Sequence, residues 1–255
     1  MTEKHAQNLE FYTCTFDNDD HISYVTADLN LKASAPQNER PLLLRIEIPL
    51  LKPKDNGLPQ REESSRLYAL EDKITAVLQA GENAVLAGMI WWNGLRRLYY
   101  YCKSSFDAAG TVESLGSEFP PHQYSIEIIE DPEWEVFLEE LYPNGLGLQY
   151  IRDRHTVDTL KKNGDVLTAP REVRHWSYFP SEISRAEFIA RIEEKGFARM
   201  AVSRSEEDQL PFVVSFSRTD SVTFESVQGF TQDLWILADG LGGQYDGWEC
   251  QVTVG

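Results

Sequence analysis

The stretch Ala84–Cys102, AVLAGMIWWNGLRRLYYYC, gives the clearest structural signal in this sequence of 255 residues. Two apolar runs, Ala84–Trp92 and Leu95–Cys102, flank the dipeptide Asn93-Gly94. Asn and Gly adopt most readily the positive φ angles of a type I′ turn, which joins neighbouring antiparallel strands. The stretch therefore predicts a β-hairpin, and the elements on either side of it decide the fold.

The elements around this hairpin predict a sheet with two helices. An alternating strand at 42–50 and an amphipathic helix at 61–80 precede it, because Leu67, Leu70 and Ile74 recur at helical spacing. A weaker helix at 106–117 and a strand at 123–129 follow it. The order strand, helix, strand, strand, helix, strand is typical of a ferredoxin-like fold.

Two further segments extend this first half. Runs at 8–16 and 21–27 predict an extra hairpin that turns at Asp17-Asn18-Asp19-Asp20. A short acidic helix is expected at 132–141, with its inward residues being Trp134, Phe137, Leu138 and Leu141.

The second half repeats the order of elements. After a junction at Pro143–Gly147, the predicted elements are a helix at 148–162, a strand at 171–179, a helix at 184–195, strands at 197–203 and 212–218, a helix at 224–239 and a strand at 244–254. The strands at 197–203 and 212–218 are joined by the acidic turn Glu206-Glu207-Asp208. We therefore predict an α+β protein of two tandem ferredoxin-like α/β sandwich domains, 1–145 and 146–255, with antiparallel sheets and helices on one face.

Negative charge is concentrated in the first half. The formal net charge is −17, and residues 1–148 hold 24 acidic and 12 basic residues. No Lys or Arg lies between Lys103 and Arg152, a stretch that includes Glu130, Asp131, Glu133, Glu135, Glu139 and Glu140. Such a surface repels nucleic acid and attracts basic proteins, although it can also serve only to keep the protein in solution.

The sequence contains no recognisable catalytic, cofactor-binding or metal-binding motif. The cysteines Cys14, Cys102 and Cys250 are far apart, and none of the five histidines has a second ligand at metal-site spacing. No nucleophile elbow or phosphate-binding glycine loop occurs. With no apolar run long enough for a membrane span and no secretory signal at the N-terminus, we expect a cytoplasmic protein without a membrane partner.

Two motifs in the second half resemble a known regulator family. The motifs are PREVRHWSYFPS, at 170–181, and GQYDGWE, at 243–249. They resemble the regulator of ribonuclease E activity B family over residues 150–252. The aromatic N-terminal strand, the helix sequence RLYALED at 66–72 and the ending DPEW at 131–134 resemble domain-of-unknown-function family 695, which implies no activity. The regulator resemblance implies an acidic ferredoxin-like protein that binds ribonuclease E and reduces RNA cleavage, without catalytic residues.

These observations predict a non-catalytic regulatory protein whose partner is a basic protein, such as a ribonuclease E-like nuclease, and not nucleic acid. The predicted partner-binding residues are Glu130, Asp131, Glu133, Glu135, Glu139, Glu140, Arg171, His175, Trp176, Tyr245, Asp246 and Trp248. A structural interpretation stays open for the motif residues, with Trp176 and Trp248 in the core and Arg171, His175 and Asp246 as their hydrogen-bonded supports. An enzyme with a carboxylate site between the domains is the alternative. The sequence leaves the oligomeric state undetermined.

Overall fold

The computed structural model describes residues 6–15, 21–206 and 209–254. The chain divides into two compact units, Met1–Gly147 and Leu148–Gly255. The predicted turn at 17–20 and the two residues Glu207 and Asp208 of the acidic turn lie outside the described residues. Each unit is an α+β structure built on one antiparallel sheet, as predicted.

The N-terminal unit is a six-stranded sheet with the order β1-β2-β4-β5-β3-β6. Its strands are β1 Leu9–Cys14, β2 Ser23–Asp28, β3 Leu42–Pro49, β4 Ala84–Trp92, β5 Leu95–Cys102 and β6 Ser125–Glu130. Helices α1 (Arg61–Leu78) and α2 (Ala108–Glu113) cross between them. The sub-order β4-β5-β3-β6 is the ferredoxin-like arrangement, and Asn93 and Gly94 turn the central hairpin with φ angles of 43° and 77°.

The extra hairpin, β1–β2, extends this sheet beyond β4. Strand β2 pairs antiparallel with β4, with Val25 opposite Ile90. Strand β1 then pairs with β2 and is the outermost strand on that side. Within the described part of this unit, the α-helices on the helix-bearing face are α1 and α2, and the added strands continue that face beyond them.

The acidic segment after β6 differs in two ways from the expected helix. Its helical part, Val136–Leu141, is a single π-helical turn, and it contacts the face of the sheet opposite α1. Trp134, with a φ of 58°, stacks on Tyr101 at 3.9 Å between ring centroids, while the neighbouring Tyr100 bonds to Thr75 of α1. Trp134, Phe137 and Leu141 are buried as predicted, whereas Leu138 is half-buried. Alternation along β5 leaves aromatic rings on both faces, and this segment covers the second face.

The C-terminal unit contains a four-stranded sheet with the order β10-β7-β9-β8, again ferredoxin-like. Its elements are α3 Gly145–Lys162, which begins three residues before the unit does, β7 Arg171–Phe179, α4 Glu182–Glu194, β8 Ala198–Arg204, β9 Phe212–Asp220, α5 Phe224–Asp239 and β10 Gln244–Cys250. The last strand ends four residues earlier than predicted, and Val254 forms an isolated bridge with Asp165. The core includes Val173, Phe188, Phe216 and Leu234.

No helix of the described residues is sufficiently long and apolar to span a membrane.

Candidate functional site

Five of the predicted partner-binding carboxylates are exposed and lie close together in sequence on the N-terminal unit. We call this set the acidic surface: Glu130, Glu133, Glu135, Glu139 and Glu140. Glu130 ends strand β6, and the other four follow on the turn and the π-helical segment. Among the described residues none of the five forms a salt bridge, so their charges are available to a partner.

Asp131, the sixth carboxylate of this stretch, is buried and organises the turn. Its Oδ1 accepts a hydrogen bond from the backbone N–H of Glu135 at 2.8 Å, and its Oδ2 accepts bonds from the N–H of Val136 at 3.1 Å and the hydroxyl of Tyr101 at 2.5 Å. Burial and this carboxylate raise the pKa of Tyr101, so the phenol stays a donor. Asp131 therefore positions the acidic surface and is not itself exposed to a partner.

Two of the motif residues, His175 and Tyr245, form a buried pair in the C-terminal unit. The Nδ1 of His175 lies 2.9 Å from the hydroxyl of Tyr245, and the imidazole stacks on Phe216 with 5.2 Å between centroids. Burial, with a smaller contribution from the charge of Arg218, lowers the pKa of His175 to about 3. Burial raises the pKa of Tyr245 well above its ordinary value. Both side chains are neutral, and they hold β7 to β10.

Asp153, on α3, is a buried carboxylate that sequence reasoning missed. Its Oδ1 accepts bonds from Gln149 Nε2 at 2.8 Å and Trp248 Nε1 at 2.9 Å, and its Oδ2 from Gln228 Nε2 at 2.9 Å and Thr231 Oγ1 at 2.7 Å. Burial raises the pKa of Asp153 despite these four bonds, which stabilise the carboxylate. The motif tryptophan Trp248 therefore ties β10 to α3.

Arg171 also has a structural role. Its Nη1 pairs with the buried carboxylate of Asp165 at 2.5 Å, and its Nη2 donates to the carbonyl of Val166 at 2.6 Å. Burial alone would raise the pKa of Asp165, but the bonds from Arg171 and from the N–H of Thr253 lower it. Arg171 thus fastens the segment after α3 to the start of β7 and to the end of the chain.

Trp176 and Asp246 are the motif residues that reach the protein surface and take no part in the buried hydrogen bonds described above. His175 points to the helices, so alternation along β7 places Trp176 on the open face of the sheet, where it is half-buried. Its cross-strand neighbours there are the small residues Gly247 and Ser215. Asp246 is exposed in the β-bulge before Gly247, whose φ of 138° favours glycine. The predicted partner-binding residues therefore fall into two groups: some reach the surface, and the others are buried and hold the surrounding strands and turns in place.

Within the described ranges, no group of three or more His, Cys, Asp or Glu side chains could hold a metal ion.

Comparisons with known proteins agree with this two-domain arrangement. Residues 7–142 match the model "Family of unknown function (DUF695)", and residues 151–250 match the model "Regulator of ribonuclease activity B". The first match spans the N-terminal six-stranded sheet, and the second spans the C-terminal sheet, α4, α5 and most of α3.

Solved structures and curated proteins add no functional information. A candidate glycine cleavage system transcriptional repressor is 11% identical, with a TM-score of 0.26, and the match covers 82% of this chain and 98% of that one. An unknown protein from Galdieria sulphuraria is 11% identical, with a TM-score of 0.23 and coverages of 83% and 99%. Scores of this size do not indicate a shared fold, so neither protein supports a conclusion. No curated protein matches this chain.

The fold and the matches define a two-domain α+β protein whose second domain resembles a ribonuclease regulator. The chain belongs to the family of unknown function DUF695, through its N-terminal domain.

Proposed function

We propose that this protein is a non-catalytic regulator that binds a basic segment of a ribonuclease E-type endoribonuclease and lowers its RNA-cleaving activity. The observation that carries the proposal is the match of residues 151–250 to the ribonuclease regulator family. The exposed carboxylates supply the complementary chemistry, because a basic, RNA-binding segment is attracted to an unpaired negative surface.

The proposed contact consists of two kinds of residue. The acidic surface provides charge without internal partners, while Trp176 and Asp246 provide an aromatic ring and a carboxylate on the C-terminal unit. The buried residues Asp131, His175 and Tyr245 act by positioning their neighbours. Partner binding through these residues predicts an affinity that falls as salt is added, since exposed charges are screened.

The test is binding of the full chain to a purified ribonuclease E-type nuclease, measured calorimetrically at low and physiological salt. In the reversed variant, Glu133, Glu135, Glu139 and Glu140 become Lys. If each exposed pair contributes about 0.5 kcal/mol, the loss of four pairs alone weakens binding by about 2 kcal/mol, or roughly thirtyfold, and the repulsion from the four Lys residues adds to this loss.

The matched control reverses four exposed carboxylates elsewhere: Asp55, Glu113, Glu193 and Glu194. It changes the net charge equally, so only a surface-specific contact distinguishes the variants. Equal weakening of both would show that net charge alone acts, and unchanged binding of the first variant would reject the acidic surface as the contact. RNA cleavage by the nuclease at saturating regulator then tests inhibition, because a bound complex with unchanged cleavage would leave binding without regulation.

A further inference from the structure

A second concave site lies on the N-terminal unit, on the helix-bearing face of the sheet. We call it the aromatic groove and define it by Phe11, Tyr24, Tyr68, Met89, Trp91 and Arg96; its volume is about 630 Å³. Cross-strand pairing places Tyr24 opposite Trp91, and Trp91 opposite Arg96, on one face. This is the volume range of ligand sites in proteins.

The groove follows from the added hairpin. Measured between axes, six strands at about 4.8 Å spacing span about 24 Å, whereas two neighbouring helices lie about 10 Å apart. Helix α2 contacts β6, at the opposite edge of the sheet, so β1 and β2 extend beyond the helical layer. Helix α1 forms one wall through Tyr68, whose side chain is 51% exposed.

The floor of the groove contains Arg96, a hydrogen-bond donor whose positive charge is balanced by Glu71. Arg96 donates from Nε and Nη2 to the two carboxylate oxygens of Glu71, each at 2.7 Å, and both side chains are more than nine-tenths buried. Its guanidinium lies over the ring of Trp91 at 4.2 Å. No described residue accepts a hydrogen bond from Nη1 of Arg96. Arg96 lines the groove, and its Nη1 is not among the fully buried atoms that lack a partner, so this N–H can reach a ligand in the groove.

The walls and rim favour an uncharged ligand. Tyr68 stands edge-on to Trp91 at 6.3 Å, and Phe11 stacks with Tyr24 at 6.4 Å, which leaves aromatic surface for an apolar group. An anion bound at Arg96 would meet the negative charge of Glu71, and a cation would meet Arg96 itself. The rim residues Lys54 and Asp72 carry opposite charges and attract neither sign.

We propose that the aromatic groove binds an extended peptide segment of a partner protein, with a large apolar side chain between the aromatic walls. Nη1 of Arg96 donates to a main-chain carbonyl beside that side chain. Tyr68, which forms one wall, is half-exposed, so the groove is open to solvent on that side and a chain can enter it from there. It takes uncharged peptide, so it is a different contact from the acidic surface and does not depend on the function proposed above.

The first experiment uses three probes with one indole ring: N-acetyl-tryptophanamide, which is neutral, N-acetyl-tryptophan, an anion, and tryptophanamide, a cation. Amide chemical shifts of the full chain are recorded as each is added. The neutral probe is expected to bind most tightly and to shift residues around Tyr68 and Trp91. Preference for either charged probe, absence of shifts, or shifts located elsewhere would overturn the proposal.

The second experiment separates a peptide from a small molecule. An acetylated and amidated Gly-Gly-Trp-Gly-Gly peptide is expected to bind about fivefold more tightly than 3-methylindole, which has the same ring but no main-chain carbonyl, the gain of roughly one hydrogen bond from Nη1 of Arg96. Equal affinity would contradict a peptide ligand. Tyr68→Ala should weaken the peptide at least about threefold, by loss of an aromatic wall. Ile183→Ala, at a site 81% exposed on the C-terminal unit, should leave affinity unchanged.

Discussion

Mild acid should loosen the C-terminal sheet through His175. The imidazole has no exposed surface, and burial lowers its pKa to about 3, against an ordinary value of 6.5. Between these values the unfolded chain binds a proton that the folded chain does not. The contribution of the neutral, buried His175 to the free energy of unfolding is therefore fully present above about pH 6.5 and is lost as the pH falls towards 3.

The magnitude follows from the size of this shift. At pH 5 the unfolded histidine is almost fully protonated while the folded one is neutral, so the free energy of unfolding falls by about 2 kcal/mol relative to pH 7.5. The carboxylates of the protein also titrate at low pH, so a variant must isolate the part due to His175. His175→Gln removes the titrating group and keeps an amide that can bond to the hydroxyl of Tyr245.

Hydrogen exchange of the full chain, resolved by peptide, measures the effect where it arises. Peptides of β7 and β9 should lose about 2 kcal/mol more protection between pH 7.5 and pH 5 in the unaltered protein than in His175→Gln. The exposed His155, on α3, provides the control, because His155→Gln should keep the full pH dependence of these strands. The same pH dependence in the unaltered protein and in His175→Gln would refute this reasoning, whatever the absolute stability of the variant.

Three further substitutions test other buried contacts. Asp153→Asn replaces two oxygens that accept four bonds with one oxygen and an amide donor, so unfolding of the C-terminal unit in urea should become easier by about 3 kcal/mol; a loss below about 0.5 kcal/mol would contradict the importance of this carboxylate. Asp131→Ala should raise exchange in residues 131–141 by about 2 kcal/mol, because it leaves the Tyr101 hydroxyl and two backbone donors unpaired, and unchanged exchange there would argue against the capping role. Gly243→Ala would put a Cβ 2.4 Å from the ring of Phe179 and 2.6 Å from the carbonyl oxygen of Tyr178, so the free energy of unfolding in urea should fall by about 1–3 kcal/mol; an unchanged value would contradict this close packing.

The acidic segment at 131–141 shows which structural features the local sequence pattern predicts and which it does not. Its apolar spacing predicts correctly that Trp134, Phe137 and Leu141 are inward, since side chains on one side of a helix recur every three or four residues. The π-helical form and the choice of the second sheet face depend on Asp131 and Tyr101, which lie 30 residues apart in sequence. A single sequence carries no signal for that contact.

The predicted partner-binding residues also divide into those that local sequence identifies and those that depend on tertiary contacts. The sequence identifies the exposed glutamates because a run of acidic residues without Lys or Arg is visible in the chain. It cannot distinguish a half-buried Trp176 on the outer face from a fully buried His175 beside it until the strand's inward face is known. Asp153 escaped notice because its four donors come from α3, α5 and β10, which meet only in the folded C-terminal unit.

The sequence by itself determined the two ferredoxin-like sheets, their helices and the concentration of negative charge in the first half. Turn residues, apolar periodicity and charge are local properties of the chain, so each can be identified from the sequence alone. Only the tertiary structure decided that the motif residues His175, Tyr245 and Trp248 support the sheet from within, and that the added hairpin opens an aromatic groove over Arg96. Burial and hydrogen-bond geometry depend on elements distant in sequence, and the chain acquires them only when it packs.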